Sequence, residues 1–257
     1  MDHLERVKQE FTRQAGTFAA AAAITDDQLT RRISEAVGAN AAGTILDVAC
    51  GPGIVTAALA AQARDVVAFD LTPEMLSQAR QRCAKAGLQN VTFKEGSATD
   101  LPFAESSFDA VVTRLAVHHF QESRRVFDEM FRVLRGDGTL VVADVVSSEN
   151  TDESALQNAI EILRDPSHVR MLPPSELLSQ VEAAGFRIET QTTWDKPREL
   201  DEWMGIINAP ERAAPLRTVV GALARAGAHA GMGLSLAAGK IVFFHRWLLI
   251  SARKRRS

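Results

Sequence analysis

Short apolar runs alternate with longer segments of helical periodicity through most of the first 150 residues. The runs at 66–69 and 140–143 have the length of strands and no polar face, while segment 72–87 places apolar residues every three or four positions, as amphipathic helices do. Two later runs, 187–194 and 241–253, also have strand character. Strands that alternate with helices of this length predict right-handed crossovers and a mainly parallel sheet, covered on both faces.

The pattern predicts one domain over residues 1–257. The first forty residues are helical in character and are expected to form a lid at 1–40, followed by a core at 43–146. The segment 147–257 would supply a substrate-side lid and the closing strands. The predicted fold class is therefore α/β, a doubly wound, mostly parallel sheet of seven strands with helical lid elements at both ends.

Composition narrows the class of protein. The chain is 46% hydrophobic and 24% charged, with a net charge of −3, so it has no general attraction to nucleic acid or anionic membranes. Its two cysteines form no disulfide or metal pattern, which is typical of a reducing compartment. The N-terminal residues are charged and lack an apolar segment, so we expect no secretion signal, and no run of 18 apolar residues occurs. We expect a cytoplasmic protein with no membrane span and no metal site.

The sequence ILDVACGPG, residues 45–53, places a carboxylate inside an apolar strand and two glycines after it. In an open parallel sheet, ligands bind beyond the carboxyl ends of the strands, where the strand order reverses. Gly51 and Gly53 allow positive φ and a close approach of the backbone to a ligand. Asp47 has two interpretations: it orders the loop by accepting backbone N–H groups, or it helps to hold a cationic ligand group, directly or through water.

A second acid, Asp70, ends the next strand, about twenty positions after the glycines. An acid at that place can accept both hydroxyls of a ribose, so the two features together predict a nucleoside site. A dinucleotide fingerprint would need a third glycine near Thr56, and no Gly-Lys-Ser/Thr phosphate loop follows this strand. S-adenosylmethionine, with its ammonium, sulfonium and ribose, fits better than NAD.

Four segments resemble the class I S-adenosylmethionine-dependent methyltransferases: ILDVACGPG, VVAFDLTPEML, VTFKEGSATDLPFAESSFDAVVTRLAVHHF and MFRVLRGDGTLVVAD. They most resemble the ubiquinone/menaquinone-biosynthesis-like branch, which modifies small molecules. The resemblance is dense over 43–146 and implies a Rossmann-like methyltransferase fold, with S-adenosylmethionine as cofactor and S-adenosylhomocysteine as product. It implies these contacts: Gly51 and Gly53 to the methionine moiety, Asp70 to the ribose, Leu71 and Met75 to the adenine, Ser97 and Ala98 to its edge, and Arg114 and Leu115 at the end of the fourth strand.

The chain departs from the family pattern at two places. Many relatives carry an acid where this chain has Ser97, so recognition of the adenine amino group is expected to depend on Ser97 or on Asp100. The segment 135–138, RGDG, stands where relatives have KPGG, and we expect it to form a turn.

Candidate catalytic residues follow the fourth and fifth strands. His118 and His119 come just after the fourth, and Asp144 ends the fifth. These strands are neighbours in the implied fold, so a histidine oriented by Asp144 could take a proton from an acceptor hydroxyl, amine or activated carbon. Alternatively, one histidine packs the loop while Asp144 caps the following turn. The sequence does not rank the two histidines.

Segments 11–18 and 162–178 lie where members of this family fold over the crevice. Their candidates for contact with the methyl acceptor, each with simple packing as the alternative, are Phe11, His168, Arg170 and Met171. Nucleic-acid methyltransferases of this fold carry an Asn/Asp-Pro-Pro-aromatic motif where this chain has RLAVHHF, so we expect no nucleic-acid partner. The three tryptophans of the C-terminal half suit an uncharged or aromatic organic molecule.

The sequence therefore predicts a methyltransferase that acts on oxygen, nitrogen or carbon of a small organic molecule, with a quinone precursor or a secondary metabolite as the leading candidate. The small-molecule acceptor is the one partner expected, and the chain is predicted to be a monomer or a homodimer. Two other functions stay open: a non-catalytic protein that retains the S-adenosylmethionine site, and an NAD-dependent oxidoreductase.

Overall fold

The computed structural model describes residues 2–21, 25 and 27–255, and the rest of the predicted 1–257 domain lies outside this description. The strands are β1 (Thr44–Val48), β2 (Asp65–Asp70), β3 (Val91–Glu95), β4 (Phe108–Arg114), β5 (Leu134–Val146), β6 (Phe186–Glu199), β7 (Ser235–Ala237) and β8 (Lys240–Lys254). The α-helices are α1 (His3–Ala20), α2 (Asp27–Val37), α3 (Ile54–Ala60), α4 (Pro73–Lys85), α5 (Ser123–Val133), α6 (Thr151–Arg164), α7 (Pro174–Ala183), α8 (Leu200–Ile206) and α9 (Pro210–Arg225).

The strands form one sheet in the order β3-β2-β1-β4-β5-β8-β6, with the short β7 paired to β8. Strands β1 to β5 run parallel, and β8 is antiparallel to both β5 and β6. This confirms the predicted doubly wound, mostly parallel α/β sheet of seven strands. The short β7 is an additional, eighth strand that the sequence pattern did not predict. Because the order reverses between β1 and β4, the carboxyl ends of these two strands border the ligand crevice.

The central strands are buried on both faces, as strands covered by helices on each side must be. In β1 and β4, Leu46 and Val111 pack into the cluster that α5 completes. Their neighbours Ile45 and Val112 pack into the cluster on the opposite face, which α2 completes. All four side chains are fully buried. The side-chain alternation of a strand thus divides one apolar run between two cores.

The segment 135–138 differs from the sequence prediction. It lies within β5 rather than forming a separate turn, because Leu134 already pairs with Phe108. The register then shifts, so that Ala110 pairs with Thr139 and the residues between bulge from the strand. Within the bulge, Asp137 has a left-handed backbone conformation, with φ of 62°.

Helix α1 contacts α4 and α8 and covers the crevice. It is held by buried polar contacts: the Gln14 amide donates to Asp165 over 3.1 Å, and Glu10 accepts hydrogen bonds from Arg212. The N-terminal helix therefore lies over the crevice, and its role as a lid stays a prediction. Among the described residues, no helix combines the length and the apolar character that crossing a membrane would require.

Candidate active site

The turn between β1 and α3 is built on left-handed backbone at three positions, with φ of 54° at Ala49, 54° at Gly51 and 73° at Gly53. Gly53 lies against α4, and a Cβ there would be 2.7 Å from the Cβ of Ala79. A Cβ at Gly51 would meet nothing within 4 Å. Gly53 is therefore needed for packing α3 against α4, whereas Gly51 leaves the loop open toward a ligand.

We expect the two glycines to respond differently to alanine. Gly53→Ala should lower the free energy of unfolding by roughly 2–4 kcal/mol, because left-handed backbone and overlap with α4 both oppose it. Gly51→Ala should cost only about 1 kcal/mol of stability, from its φ alone, and should instead weaken binding of S-adenosylhomocysteine. Urea denaturation and isothermal titration calorimetry measure the two effects. Equal losses of stability would contradict the assignment.

Asp47 and Asp70 are both buried at the carboxyl edge of the sheet. Asp70 orders the turn, since its carboxylate accepts the N–H of Gly51 at 2.8 Å and that of Thr72 at 2.9 Å. Asp47 accepts the hydroxyl of Thr56 at 2.6 Å, which ties it to α3. Burial raises the pKa of Asp70, and burial outweighs the Thr56 hydrogen bond to raise the pKa of Asp47 to about 7. A cation bound beside Asp47 would favour its ionised form.

A pocket of about 300 Å³ opens at this edge, a size suited to a small-molecule ligand. Nine of the ten predicted cofactor residues line it: Asp47, Gly51, Asp70, Leu71, Met75, Ser97, Ala98, Arg114 and Leu115. The tenth, Gly53, lies behind the loop. Sequence reasoning missed several further wall residues, among them Val7 on α1, Ile54, Phe69 and Phe120. Val7 has no local motif to mark it, because α1 meets the sheet edge only in the folded chain. Ile54, Phe69 and Phe120 each stand next to a predicted site residue, which was the available signal.

The structure distinguishes the two candidates for the edge of the adenine. Ser97 lines the pocket, and its hydroxyl lies 2.8 Å from the hydroxyl of Thr99, which also lines it. Asp100 is exposed to solvent and does not line the pocket. Of the two, Ser97 is the side chain within reach of a bound ligand.

His118, which is partly buried, and the buried Asp144 form a pair beside the pocket. Nδ1 of His118 lies 2.6 Å from Oδ1 of Asp144, and Oδ2 of Asp144 accepts the N–H groups of Ala116 and Val117. Asp144 thus has both predicted roles: it orients His118, and it caps the turn that follows β4. Burial opposes protonation of His118, but the charge of Asp144 and the hydrogen bond outweigh it and raise the pKa of His118. Despite burial, the same pairing lowers the pKa of Asp144.

His119 has a different partner. Its Nδ1 lies 2.9 Å from the carbonyl oxygen of Ser167, and since a carbonyl only accepts, Nδ1 carries the proton. Burial and the neighbouring charge of His118 lower the pKa of His119 to about 4, so its imidazole is neutral at pH 7. His119 lines the pocket, whereas His118 lies beyond it.

A second, smaller cavity of about 60 Å³ adjoins the pocket; we name it the inner chamber. It shares four wall residues with the pocket: Phe11, Phe18, Leu115 and His119. Its remaining walls carry many charged or aromatic side chains, namely His118, Glu161, Arg164, Asp165, Arg198, Trp203, His245 and Trp247. His118 is therefore placed at a cavity that adjoins the predicted cofactor site.

The four predicted acceptor residues are separated by the fold. Phe11 lines both the pocket and the inner chamber. His168 is buried, with its ring 5.5 Å from that of His118, but lines neither cavity. Arg170 forms an ion pair at the surface, and Met171 packs in the core. The structure does not bring Arg170 or Met171 to the site. The charged side chain of Arg170 extends into solvent, and the apolar side chain of Met171 is buried in the core.

The charged walls of the inner chamber were not singled out from the sequence. The available signal was a charge within an apolar element: His245 in the strand run of β8, and Glu161 in the apolar part of α6. In the structure, Nε2 of His245 lies 3.2 Å from Glu161, and Nδ1 of His245 lies 3.4 Å from Arg198. Buried charges of this kind, beside a cavity, are a common mark of a functional site.

The residues of the pocket fit S-adenosylmethionine. Asp70 ends β2, where an acid can accept ribose hydroxyls, and the buried carboxylate of Asp47 suits a cationic ligand group. The open face of Gly51 leaves space for the ligand along the backbone. Apolar Leu71 and Met75 supply a wall for a planar ring.

Comparisons with known proteins indicate a methyltransferase. A family profile described as a methyltransferase domain matches residues 46–142. The chain is 32% identical to the uncharacterized methyltransferase YcgJ of Bacillus subtilis over 62% of this chain and 63% of YcgJ. It is 34% identical to the uncharacterized protein YafE of Escherichia coli over 57% of this chain and 70% of YafE. It is 41% identical to the demethylmenaquinone methyltransferase of Clavibacter sepedonicus over 47% and 49% of the two chains.

The similarity in structure covers more of the chain than the similarity in sequence does. The crystal structure of YcgJ superposes with a TM-score of 0.83 at 28% identity, covering 90% of this chain and 100% of that one. In sequence, by contrast, the aligned part spans 63% of YcgJ and about half of the demethylmenaquinone enzyme. On the profile, the relatives and the fold together, this chain belongs to the class I S-adenosylmethionine-dependent methyltransferases.

Proposed function

We propose that this methyltransferase acts on oxygen, nitrogen or carbon of a small organic molecule whose reacting group lies in the inner chamber. The observation that carries the proposal is the placement of His118: it is paired with Asp144 and lines a cavity that shares four wall residues with the cofactor pocket. A chamber of about 60 Å³ with α1 as one wall suits a small acceptor rather than a polymer.

The residues present can assist the reaction in two ways. When bound, S-adenosylmethionine supplies an electrophilic methyl group, so the protein has chiefly to position the acceptor and remove its proton. Because Nδ1–H of His118 donates to Asp144, Nε2 is the nitrogen left to accept that proton. Asp144 then stabilises the imidazolium, while Phe11 and Phe18 on α1 exclude water from the chamber.

His119 has a positioning role in this proposal. It is neutral, its Nδ1–H is held by the Ser167 carbonyl, and its ring packs edge-on against Phe11 with 4.9 Å between the centroids. His119 thus joins the lid helix to the wall that the pocket and the chamber share. A weakly basic histidine in this place is better suited to orienting an acceptor than to removing its proton.

A quinone precursor or a secondary metabolite is our leading candidate for the acceptor. The demethylmenaquinone methyltransferase among the relatives supports this class, as do the rings of Trp203 and Trp247 in the chamber wall. We further propose a cytoplasmic enzyme, monomeric or homodimeric, that has no nucleic-acid partner.

The proposal is tested by ligand titration followed by a product screen. We expect the purified chain to bind S-adenosylhomocysteine but not NADH, as measured by calorimetry. With S-adenosylmethionine and a metabolite extract, at least one compound should gain the mass of one methyl group. Cofactor binding without any methylated product would favour the non-catalytic alternative, and affinity for NADH alone would favour an oxidoreductase.

A further inference from the structure

An open groove of about 950 Å³ lies on the outer side of the inner chamber; we name it the outer groove. It is formed by the end of α1, by α8 and by facing parts of β6 and β8. Its walls are Thr17, Ala20, Ala21, Pro197, Arg198, Glu199, Glu202, Gly205, Ile206, Gly233, Val242, Phe243 and Phe244. The floor is largely apolar, and the charged groups are confined to Arg198, Glu199 and Glu202.

The outer groove and the inner chamber share the walls Arg198 and Ile206. Arg198 lies between the two spaces, because its guanidinium donates to Glu202 on the groove side and lies 3.4 Å from Nδ1 of His245 on the chamber side. A small void of about 10 Å³ behind His245 also has walls in common with both. The inner chamber therefore lies between the cofactor pocket and the outer groove and shares wall residues with each of them.

The size of the inner chamber limits what it can hold. About 60 Å³ has room for only a few water molecules, and so for the reacting group of an acceptor but not for a whole organic molecule. Under the proposed function, the pocket on one side is needed for the cofactor. The remainder of the acceptor must then extend past Arg198 and Ile206, where the walls change from charged to apolar.

We propose that the outer groove binds the apolar part of an amphipathic acceptor, whose polar reacting group reaches His118 in the inner chamber. This inference rests on the proposed function and specifies its substrate class: a small hydroxyl- or amine-bearing head joined to an apolar chain or ring system. The acceptor enters from the groove, on the side away from the cofactor.

The test uses 4-alkylphenols as probes of the head and the chain. Calorimetry on the full chain, saturated with S-adenosylhomocysteine, should show that Kd falls roughly two- to fourfold for each methylene added from 4-ethylphenol to 4-hexylphenol. Gly205→Arg places a long polar side chain in the groove, where a Cβ meets nothing within 4 Å. This variant should bind 4-hexylphenol no more tightly than 4-ethylphenol.

Gly16→Arg is the matched control. Gly16 is also a helical glycine whose added Cβ would meet nothing within 4 Å, but it lies on the exposed face of α1 outside both cavities. It should keep the wild-type dependence on chain length. Affinity independent of chain length in the wild type, or a dependence that Gly205→Arg leaves intact, would overturn the groove while leaving the methyltransferase site standing. If no phenol binds to protein that binds S-adenosylhomocysteine, both the chamber and the groove are overturned as the acceptor site.

Discussion

Replacing Asp70 by alanine will weaken the binding of S-adenosylhomocysteine by about 10²- to 10⁴-fold. The carboxylate is expected to accept two ribose hydroxyls, and hydrogen bonds to a charged group are worth about 1.5–3 kcal/mol each. The same carboxylate holds the N–H groups of Gly51 and Thr72, so its removal also releases the turn that faces the ligand. Isothermal titration calorimetry measures the loss, and urea denaturation shows that the variant is folded.

Asp65→Ala is the matched control for this result. Asp65 begins the same strand, is exposed, and forms a surface ion pair with Arg64 at 3.3 Å, so its loss should cost little and should not affect cofactor binding. Asp70→Asn should be intermediate, because its amide can accept from one backbone N–H but presents a donor to the other. If Asp70→Ala and Asp65→Ala bound the ligand equally well, Asp70 would not be the ribose residue.

The second large effect is expected in turnover. His118→Ala should lower kcat by about 10²- to 10⁴-fold, the usual contribution of a positioned acid–base group. Affinity for S-adenosylhomocysteine should be retained, because His118 lies outside the cofactor pocket. The measurement is single-turnover methylation of the acceptor found in the extract screen. His119→Gln should lower kcat less, since His119 orients rather than accepts the proton, and equal losses would contradict the division of roles.

The pH dependence of turnover separates a base from a structural histidine. Only neutral imidazole accepts a proton, so log kcat should rise with pH through the raised pKa of His118. Asp144→Asn removes the charge that raises this pKa, so the rise should move to lower pH while kcat falls. Asp109→Asn, at the opposite end of the sheet beside Arg135, should leave the midpoint in place. An unmoved midpoint in Asp144→Asn would exclude His118 as the base.

Most of the cofactor pocket could be predicted because its residues follow strands. A parallel sheet brings the carboxyl ends of its strands to one edge, so Asp47, Asp70 and Arg114 meet without further information. Gly53 was predicted to contact the ligand, but it does not line the pocket and packs against α4. Two glycines in one turn look alike in a sequence. Arg170 and Met171 lie in a segment that does approach the site, yet their side chains point elsewhere.

The amino-acid sequence by itself determined the family and most of the alternation of strands and helices, and it predicted a nucleoside-binding turn, because these depend on periodicity and on residues close together in the chain. Only the tertiary structure decided which histidine pairs with Asp144, since neighbouring side chains on a tight turn point in different directions. The tertiary structure also decided which residues line the inner chamber. Glu161, Arg198 and His245 meet there because β8 inserts between β5 and β6, a pairing that no local pattern encodes.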